Sequence, residues 1–237
     1  MLQTSALDRF KDFWQGVVLL PFVRLFIKMG ISPDTVTFVG TVGVCAGALV
    51  FFPMGELLTG VLFITAFVFS DLIDGKMARE LGRKSKFGAF WDSTLDRFGD
   101  GAIFGGLALY FAGPGDSYVY LCVSLYCLVL GSVTSYARAR AESLGMDAKG
   151  GIAERADRLV SILVMTGLGA LFDLPILMFV TLWVLAFANT YTVVFRIRKV
   201  HAQAVVLDRE AAAQTDAQPD AVVAAPAPPS AESAPTD

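Results

Sequence analysis

The sequence has few charged residues, almost no histidine and little cysteine. Of its 237 residues only 17% are charged, whereas 55% are hydrophobic. So few charges cannot cover the surface of an ordinary water-soluble domain of this length, and the composition therefore indicates an integral membrane protein. The formal net charge of −3 is less informative than the positions of the charges, because several acids lie in the C-terminal tail and others in the candidate site. No nucleic-acid partner is expected.

The scarcity of histidine and cysteine disfavours further classes. The one histidine, His201, follows the last apolar run beside basic residues, as expected of a solvated helix end. All three cysteines, Cys45, Cys122 and Cys127, lie in apolar stretches, where buried free thiols are expected. The sequence therefore offers no zinc motif, no redox motif and no disulfide framework.

Long apolar runs, by contrast, are abundant. About 20 helical residues are needed to cross the ~30 Å hydrocarbon core of a bilayer, and six runs of about that length or more are present. They lie near residues 35–54, 57–77, 89–113, 117–138, 153–173 and 175–196. We therefore predict an all-α integral membrane protein with six transmembrane helices.

The positions of the basic residues predict its orientation. The short separators at 52–56, 113–117 and 172–175 contain no lysine or arginine, so all 19 basic residues lie at the opposite ends of the runs. Basic segments remain on the cytoplasmic side. We therefore expect a multi-pass protein of the cell membrane with both termini in the cytoplasm.

The chain divides by composition into three parts. Residues 1–33 are expected to form a juxtamembrane segment with an interfacial amphipathic helix, because residues 5–28 mix apolar and basic side chains and contain Pro21. A six-span domain would occupy residues 34–201. Residues 202–237 are rich in Ala, Pro, Ser and Asp and are predicted to be a disordered tail.

Four aspartates mark the candidate functional site. Asp71 and Asp74 are three residues apart and Asp92 and Asp96 four apart, so each pair shares one face of a helix. Carboxylates beside hydrocarbon are costly unless they face a cavity or a cation. A purely oxygen donor set suits Mg²⁺ or Mn²⁺, and a pair of ions is the favoured occupant. Solvated surface acids and a divalent-cation transporter are the alternatives.

The acids belong to a longer pattern, D-x2-D-G-x2-A-R-x8-G-x3-D-x3-D. It is filled without departure by Asp71, Asp74, Gly75, Ala78, Arg79, Gly88, Asp92 and Asp96. The pattern resembles the signature of the CDP-alcohol phosphotransferases, membrane enzymes of phospholipid synthesis. The resemblance implies that the four aspartates bind the metals and that Asp96 is also the catalytic base. It further implies that Gly75, Ala78 and Arg79 contact the nucleotide.

A cluster of basic residues further along the chain indicates which kind of acceptor molecule would receive the transferred group. Arg155 and Arg158 enter an apolar run next to acids, where binding of an anion would account for their position. The arrangement ARAE, GG, ER-x2-RL resembles the actinobacterial phosphatidylinositol phosphate synthases within that family. This resemblance implies transfer from CDP-diacylglycerol to inositol 1-phosphate.

By the same resemblance, further residues are expected to bind substrates. Arg138, Arg155 and Arg196 would bind the inositol phosphate, with Arg138 standing where relatives have lysine. Asp34, Thr35, Val36, Thr37 and Ser85 would join the CDP-diacylglycerol site. A homodimer is expected on the same ground. Glycerol 3-phosphate, the acceptor of a phosphatidylglycerophosphate synthase, is the alternative.

Overall fold

The computed structural model describes residues 20–80, 85–152 and 154–217. Within these ranges the chain is helical and contains no β-strand. The helices are α1 Leu20–Lys28, α2 Pro33–Phe51, α3 Leu57–Glu80, α4 Lys86–Ala112, α5 Tyr118–Ser143, α6 Arg155–Leu171 and α7 Ile176–Ala217. The all-α fold class predicted from the sequence is therefore confirmed for the described part of the chain.

Each predicted apolar run is helical over most of its length, and the six runs correspond in order to helices α2 to α7. In the described residues, three helices are long and apolar enough to cross a membrane by length and composition: α2, α5 and α7. Of the other three, α4 carries several charged residues and α6 has only 17 residues, while the described stretch Leu57–Val68 of α3 is apolar. The described residues therefore contain three candidate membrane-spanning helices, and the number six stays a prediction.

Polar caps fix where the helices of the predicted site begin. The hydroxyl of Ser32 accepts a hydrogen bond from the Thr35 amide at 3.2 Å and caps α2. Ser85 caps α4 in the same way, through the Gly88 amide at 2.8 Å. Such caps satisfy amide groups that have no partner inside the helix.

The apolar core lies between the helices and is built around α2 and α4. Phe52, Phe104 and Phe111 are among its largest buried side chains. A Cβ at Gly106 would stand 2.5 Å from the carbonyl oxygen of Ala48, so only glycine permits the close approach of α4 to α2 at this level. Since α3 also packs on α2 and α5 packs on α4, this core determines where the polar ends of the helices lie.

The two ends of the chain depart in part from the prediction. Helix α7 continues to Ala217, so residues 202–217 are helical and the predicted start of a disordered tail at 202 is wrong. The alanine-rich stretch favours helix, and the first proline beyond it is Pro219. Residues 218–237 and 1–19 lie outside the described residues.

Only the last part of the predicted interfacial segment is described, as α1. Its Val23 is buried against Val36 of α2 and Met77 of α3, whereas Arg24 and Lys28 are exposed. The helix therefore has one face packed on the bundle and one charged face, as predicted for an amphipathic segment.

Candidate active site

A polar cavity of about 330 Å³ lies where the polar ends of α4, α5 and α6 meet the middle of α7. Its lining contains five arginines but only three acidic residues, so the cavity favours an anion. The lining residues are Ser93, Asp96, Arg97, Thr134, Ser135, Arg138, Ala139, Glu142, Glu154, Arg155, Ala156, Arg158 and Arg196.

Four residues predicted from the sequence meet in this cavity. Asp96, the predicted base, comes from α4, and the three predicted acceptor residues Arg138, Arg155 and Arg196 come from α5, α6 and α7. These helices are separated by loops and by up to 100 positions in the sequence, so the fold, and not sequence proximity, brings the residues together.

Arg155 is the central cation of the cavity. It is the first residue of α6, and its backbone position is fixed by a capping box between Glu154 and Asp157. Its Nη1 lies 2.9 Å from Oδ1 of Asp96, and its Nε donates to Oδ1 of Asp100 at 3.0 Å. The guanidinium is thereby held between two carboxylates that lie one helical turn apart on α4.

Asp100 lies behind the cavity wall and is 5% exposed. Besides the bond from Arg155, its Oδ2 is 3.3 Å from Nη1 of Arg97 and 3.7 Å from Nη2 of Arg158. One buried carboxylate therefore contacts three guanidinium groups, two of which also lie near Asp96. Buried ions are tolerated when paired in this way.

Arg97 and Arg158 complete the cluster. Arg97 also donates to the hydroxyl of Ser135 on α5, and Arg158, which is 2% exposed, approaches the carbonyl of Gly131 at 3.5 Å. Both arginines thus connect α5 to the helices that carry Asp96 and Arg155.

The other two predicted acceptor residues are held differently. Arg196 donates to two backbone carbonyls, from Nη1 to Thr134 at 2.6 Å and from Nε to Gly150 at 3.2 Å. Arg138 pairs with Glu142 one turn later at 2.9 Å. Since carbonyls do not neutralise a charge, Arg196 contributes a fixed positive charge to the cavity wall.

The loop before α6 is held against the C-terminal half of α7. Gln203 donates to the carbonyl of Asp147 at 2.7 Å and accepts from its amide at 2.9 Å. Lys199 pairs with the Asp147 carboxylate at 2.8 Å. The hydrogen bond from Lys199 is the main cause that lowers the pKa of Asp147, so this contact favours the ionised carboxylate.

The predicted nucleotide-lipid residues gather at a neighbouring place, where α2 and α4 begin. The indole Nε1 of Trp91 donates to the carbonyl of Asp34 at 3.2 Å. A Cβ at Gly88 would stand 3.0 Å from the Ser85 hydroxyl and 3.5 Å from a carboxylate oxygen of Asp34. Two predicted contacts, Asp34 and Ser85, are therefore adjacent.

Three further predicted residues of this set lie on the same helix as Asp34. Thr35 is exposed, whereas Val36 and Thr37 are buried in α2. The hydroxyl of Thr37 donates to the carbonyl of Pro33 at 3.1 Å. Val36 and Thr37 therefore support the first turn of α2 from inside the fold.

The predicted metal ligands are described only on α4. Asp92 is exposed and Asp96 is partly buried; among the described side chains, no three acidic, histidine or cysteine residues lie close enough to hold a metal ion. The backbone of α3 carries Asp71, Asp74, Gly75, Ala78 and Arg79, but their side chains are outside the described set. The oxygen donors of the four aspartates fit Mg²⁺ or Mn²⁺ chemically, and the site itself stays a prediction.

Two charged residues of the cluster, Arg97 and Asp100, were not predicted from the sequence. A signal for Asp100 was present, because Asp92, Asp96 and Asp100 follow one another at intervals of four and share a helix face. The family pattern ends at Asp96. For Arg97, the one sequence feature that indicated a role was its position between Asp96 and Asp100.

Comparisons with known proteins identify the family of the chain. Residues 30–194 match the CDP-alcohol phosphatidyltransferase family. The chain is 50% identical over 220 residues to the phosphatidylinositol phosphate synthase of Streptomyces avermitilis, with 90% of each chain covered. It is 47% identical over 197 residues to that of Cutibacterium acnes, covering 80% of this chain and 95% of the relative.

Solved structures of the phosphatidylinositol phosphate synthase of Mycobacterium tuberculosis have the same fold. The structure with CDP-DAG bound superposes with a TM-score of 0.74 at 39% identity, covering 77% of this chain and 93% of the other. The structure in complex with manganese and citrate gives a TM-score of 0.73 at 39% identity, with 77% and 88% covered. By sequence, by fold and by its eight-residue pattern, the chain belongs to the CDP-alcohol phosphatidyltransferase family.

Proposed function

We propose that this protein transfers the phosphatidyl group of CDP-diacylglycerol to inositol 1-phosphate, giving phosphatidylinositol phosphate and CMP. The observation that carries the proposal is the arginine-rich cavity beside Asp96. The relatives named phosphatidylinositol phosphate synthase, at 50% and 47% identity, support the same substrate pair. A hydroxyl oxygen of the acceptor attacks the phosphatidyl phosphorus, and the bond from phosphorus to the oxygen of CMP breaks.

The acceptor would bind by its phosphate in the cavity. Arg138, Arg155 and Arg196 approach from three helices, and guanidinium groups bind phosphate oxygens in pairs. An acceptor without a phosphate, such as free inositol, would leave these charges unbalanced. The cavity therefore suits a phosphorylated alcohol.

The nucleotide-lipid would bind where α2, α3 and α4 come together. Its contacts would be Asp34, Thr35, Val36, Thr37, Gly75, Ala78, Arg79 and Ser85. Support comes from the adjacency of Asp34, Ser85 and Gly88 and from the relative whose structure has CDP-DAG bound.

Two divalent ions, Mg²⁺ or Mn²⁺, would be held by Asp71, Asp74, Asp92 and Asp96. When bound, they would neutralise the pyrophosphate charge of the lipid substrate. Asp96 would also accept the proton of the attacking hydroxyl, since of the two predicted ligands with described side chains, Asp92 and Asp96, it is Asp96 that lines the acceptor cavity.

The membrane arrangement belongs to the same proposal. Helices α2 to α7 would form six spans of the cell membrane, with the cavity and both termini on the cytoplasmic side, where soluble phosphorylated substrates are found. A homodimer would be the assembled form.

The test is CMP release from CDP-diacylglycerol and Mg²⁺ by the purified full-length protein. Inositol 1-phosphate, free inositol and glycerol 3-phosphate are compared as acceptors, and omission of the metal is the control. We expect turnover with inositol 1-phosphate only. Turnover with glycerol 3-phosphate alone would mean that glycerol 3-phosphate, and not inositol 1-phosphate, is the acceptor. The absence of CMP release with any acceptor would overturn the proposal.

A further inference from the structure

We propose that Asp100 is a positioning residue for the transfer reaction, which holds the guanidinium of Arg155 in place for the phosphate of the acceptor. This inference rests on the proposed function. Asp100 lies outside the eight-residue pattern, and it does not line the cavity itself.

The geometry assigns this role to Asp100 and not to Asp96. Both carboxylates contact Arg155, at 3.0 Å and 2.9 Å respectively. Asp96, however, is the proposed base and metal ligand, so its oxygens are needed elsewhere during the reaction. Asp100 lies one turn deeper, about 6 Å along α4. It is therefore the carboxylate that remains paired with Arg155 during the reaction.

The burial of Asp100 makes it an effective anchor. Its side chain is 7% exposed, whereas that of Arg155 is 31% exposed and reaches the cavity. A charge-assisted hydrogen bond shielded from water is stronger than an exposed one. Arg155 is therefore fixed at its inner edge while its outer part faces the acceptor.

The same carboxylate also organises the neighbouring cations. Arg97 and Arg158 approach its second oxygen at 3.3 Å and 3.7 Å. Without this negative charge, three guanidinium groups around one point would repel one another. Arg155 would then turn away from Arg158, and the acceptor phosphate would lose its aligned partner.

The kinetic test compares Asp100→Asn with wild type in the full-length protein. Asparagine keeps the shape but removes the charge. We expect the KM for inositol 1-phosphate to rise about tenfold or more, as for the loss of a charge-assisted contact, while the KM for CDP-diacylglycerol changes less than about twofold. Asp208→Asn, an exposed substitution on α7, is the matched control and should leave both constants unchanged.

A double mutant separates positioning from a merely structural role. If Asp100 acts through Arg155, Asp100→Asn should add less than about twofold to the acceptor KM when Arg155 is already glutamine. Full additivity, or a KM for inositol 1-phosphate that is unchanged or lowered in the single mutant, would overturn the inference. A lowered KM would mean that Asp100 only weakens the positive field of the cavity.

A third variant keeps the inference testable if Asp100→Asn does not fold. Asp100→Glu retains the charge that balances the buried arginines but displaces the carboxylate by one methylene. We expect a folded protein with a several-fold higher KM for inositol 1-phosphate and an unchanged KM for the lipid; wild-type values for both would overturn the role. Failure of the proposed function is recognised separately, since wild-type protein would then not use inositol 1-phosphate at all.

Discussion

At the scale of single residues, Asp96 belongs both to the proposed metal site and to the acceptor cavity. It lines the acceptor cavity and is the last aspartate of the family pattern. We expect Asp96→Asn to lower kcat by at least about 100-fold, because a general base contributes about 10²–10⁴-fold. CMP release measures the loss, and binding of CDP-diacylglycerol should remain detectable.

Asp208→Asn, on an exposed part of α7, should retain full activity in the same assay. Activity of the Asp96→Asn protein within about tenfold of wild type would contradict the base role, since the amide cannot accept the proton.

Arg155 should act mainly on the acceptor. Arg155→Gln removes the charge at the centre of the cavity, and we expect the KM for inositol 1-phosphate to rise about 10–100-fold, in line with hydrogen bonds to charged groups. The KM for the lipid should change little. Arg140→Gln is the control, because Arg140 is exposed on α5 and does not line the cavity. Equal effects on both substrates would contradict the assignment.

Single residues also show how much of the candidate site could be predicted from the sequence. Asp96 and the three acceptor arginines were found because they fill family patterns or enter apolar runs. Arg97 and Asp100 belong to no pattern, and their importance depends on α6 placing Arg155 at 3.0 Å from Asp100. Such a contact depends on tertiary packing between residues 55 positions apart, which single-sequence reasoning does not reach.

At the scale of elements, the loop between α5 and α6 depends on two glycines with positive φ. Gly150 and Gly151 have φ of 110° and 111°, and a Cβ at Gly151 would collide with the side chain of Thr192 on α7. Gly145 also has positive φ, at 76°, but open space around it. Alanine is therefore disfavoured by the backbone at both Gly145 and Gly151, whereas only Gly151 adds a clash with α7.

We expect Gly151→Ala to lower the apparent melting temperature by about 4 °C or more relative to Gly145→Ala, since 1 kcal/mol corresponds to about 2–4 °C at this chain length. The acceptor KM should rise as well, because the loop carries Arg155. Thermal unfolding in detergent and CMP release measure the two effects. Equal melting temperatures for the two variants would contradict the close packing of the loop on α7.

The fastening of this loop by α7 gives a second prediction at this scale. Gln203 makes two hydrogen bonds with the backbone of Asp147. We expect Gln203→Ala to raise the acceptor KM by about 2–10-fold, the equivalent of one or two neutral hydrogen bonds, without changing the lipid KM. His201→Ala, an exposed change two residues earlier, should be neutral.

A wild-type acceptor KM in Gln203→Ala would mean that Lys199 alone holds the loop. This contact was not predictable from the sequence, because residues from 202 onwards resemble a disordered tail in composition. The helix extends there because alanine favours it and Gln203 has a partner in the loop.

At the scale of the whole molecule, helix positions were predictable from the apolar runs, whereas the number of spans is not settled by apolarity. Two helices of the proposed site, α4 and α6, fall short of the required apolarity or length: α4 carries Asp96, Arg97 and Asp100, and α6 begins at Arg155 and has 17 residues. Charged side chains reduce the apolar length of these two helices. A six-span topology therefore needs a direct test.

Single cysteines at exposed positions distinguish six spans from three. In a background with Cys45, Cys122 and Cys127 replaced by alanine, the probes are Tyr118→Cys, Lys86→Cys and Phe172→Cys, all at exposed positions. With six spans and basic segments inside, a membrane-impermeant maleimide should label positions 118 and 172 in intact cells and position 86 only after lysis.

If only α2, α5 and α7 crossed, residue 86 would lie on the same side as residue 118, and residue 172 on the opposite side. Labelling of position 86 in intact cells would therefore contradict crossing by α3 and α4, and protection of position 172 would contradict crossing by α6. The expected pattern also places the cavity at the cytoplasmic face, because Arg138 and Arg155 lie at the ends of α5 and α6 that face away from residues 118 and 172.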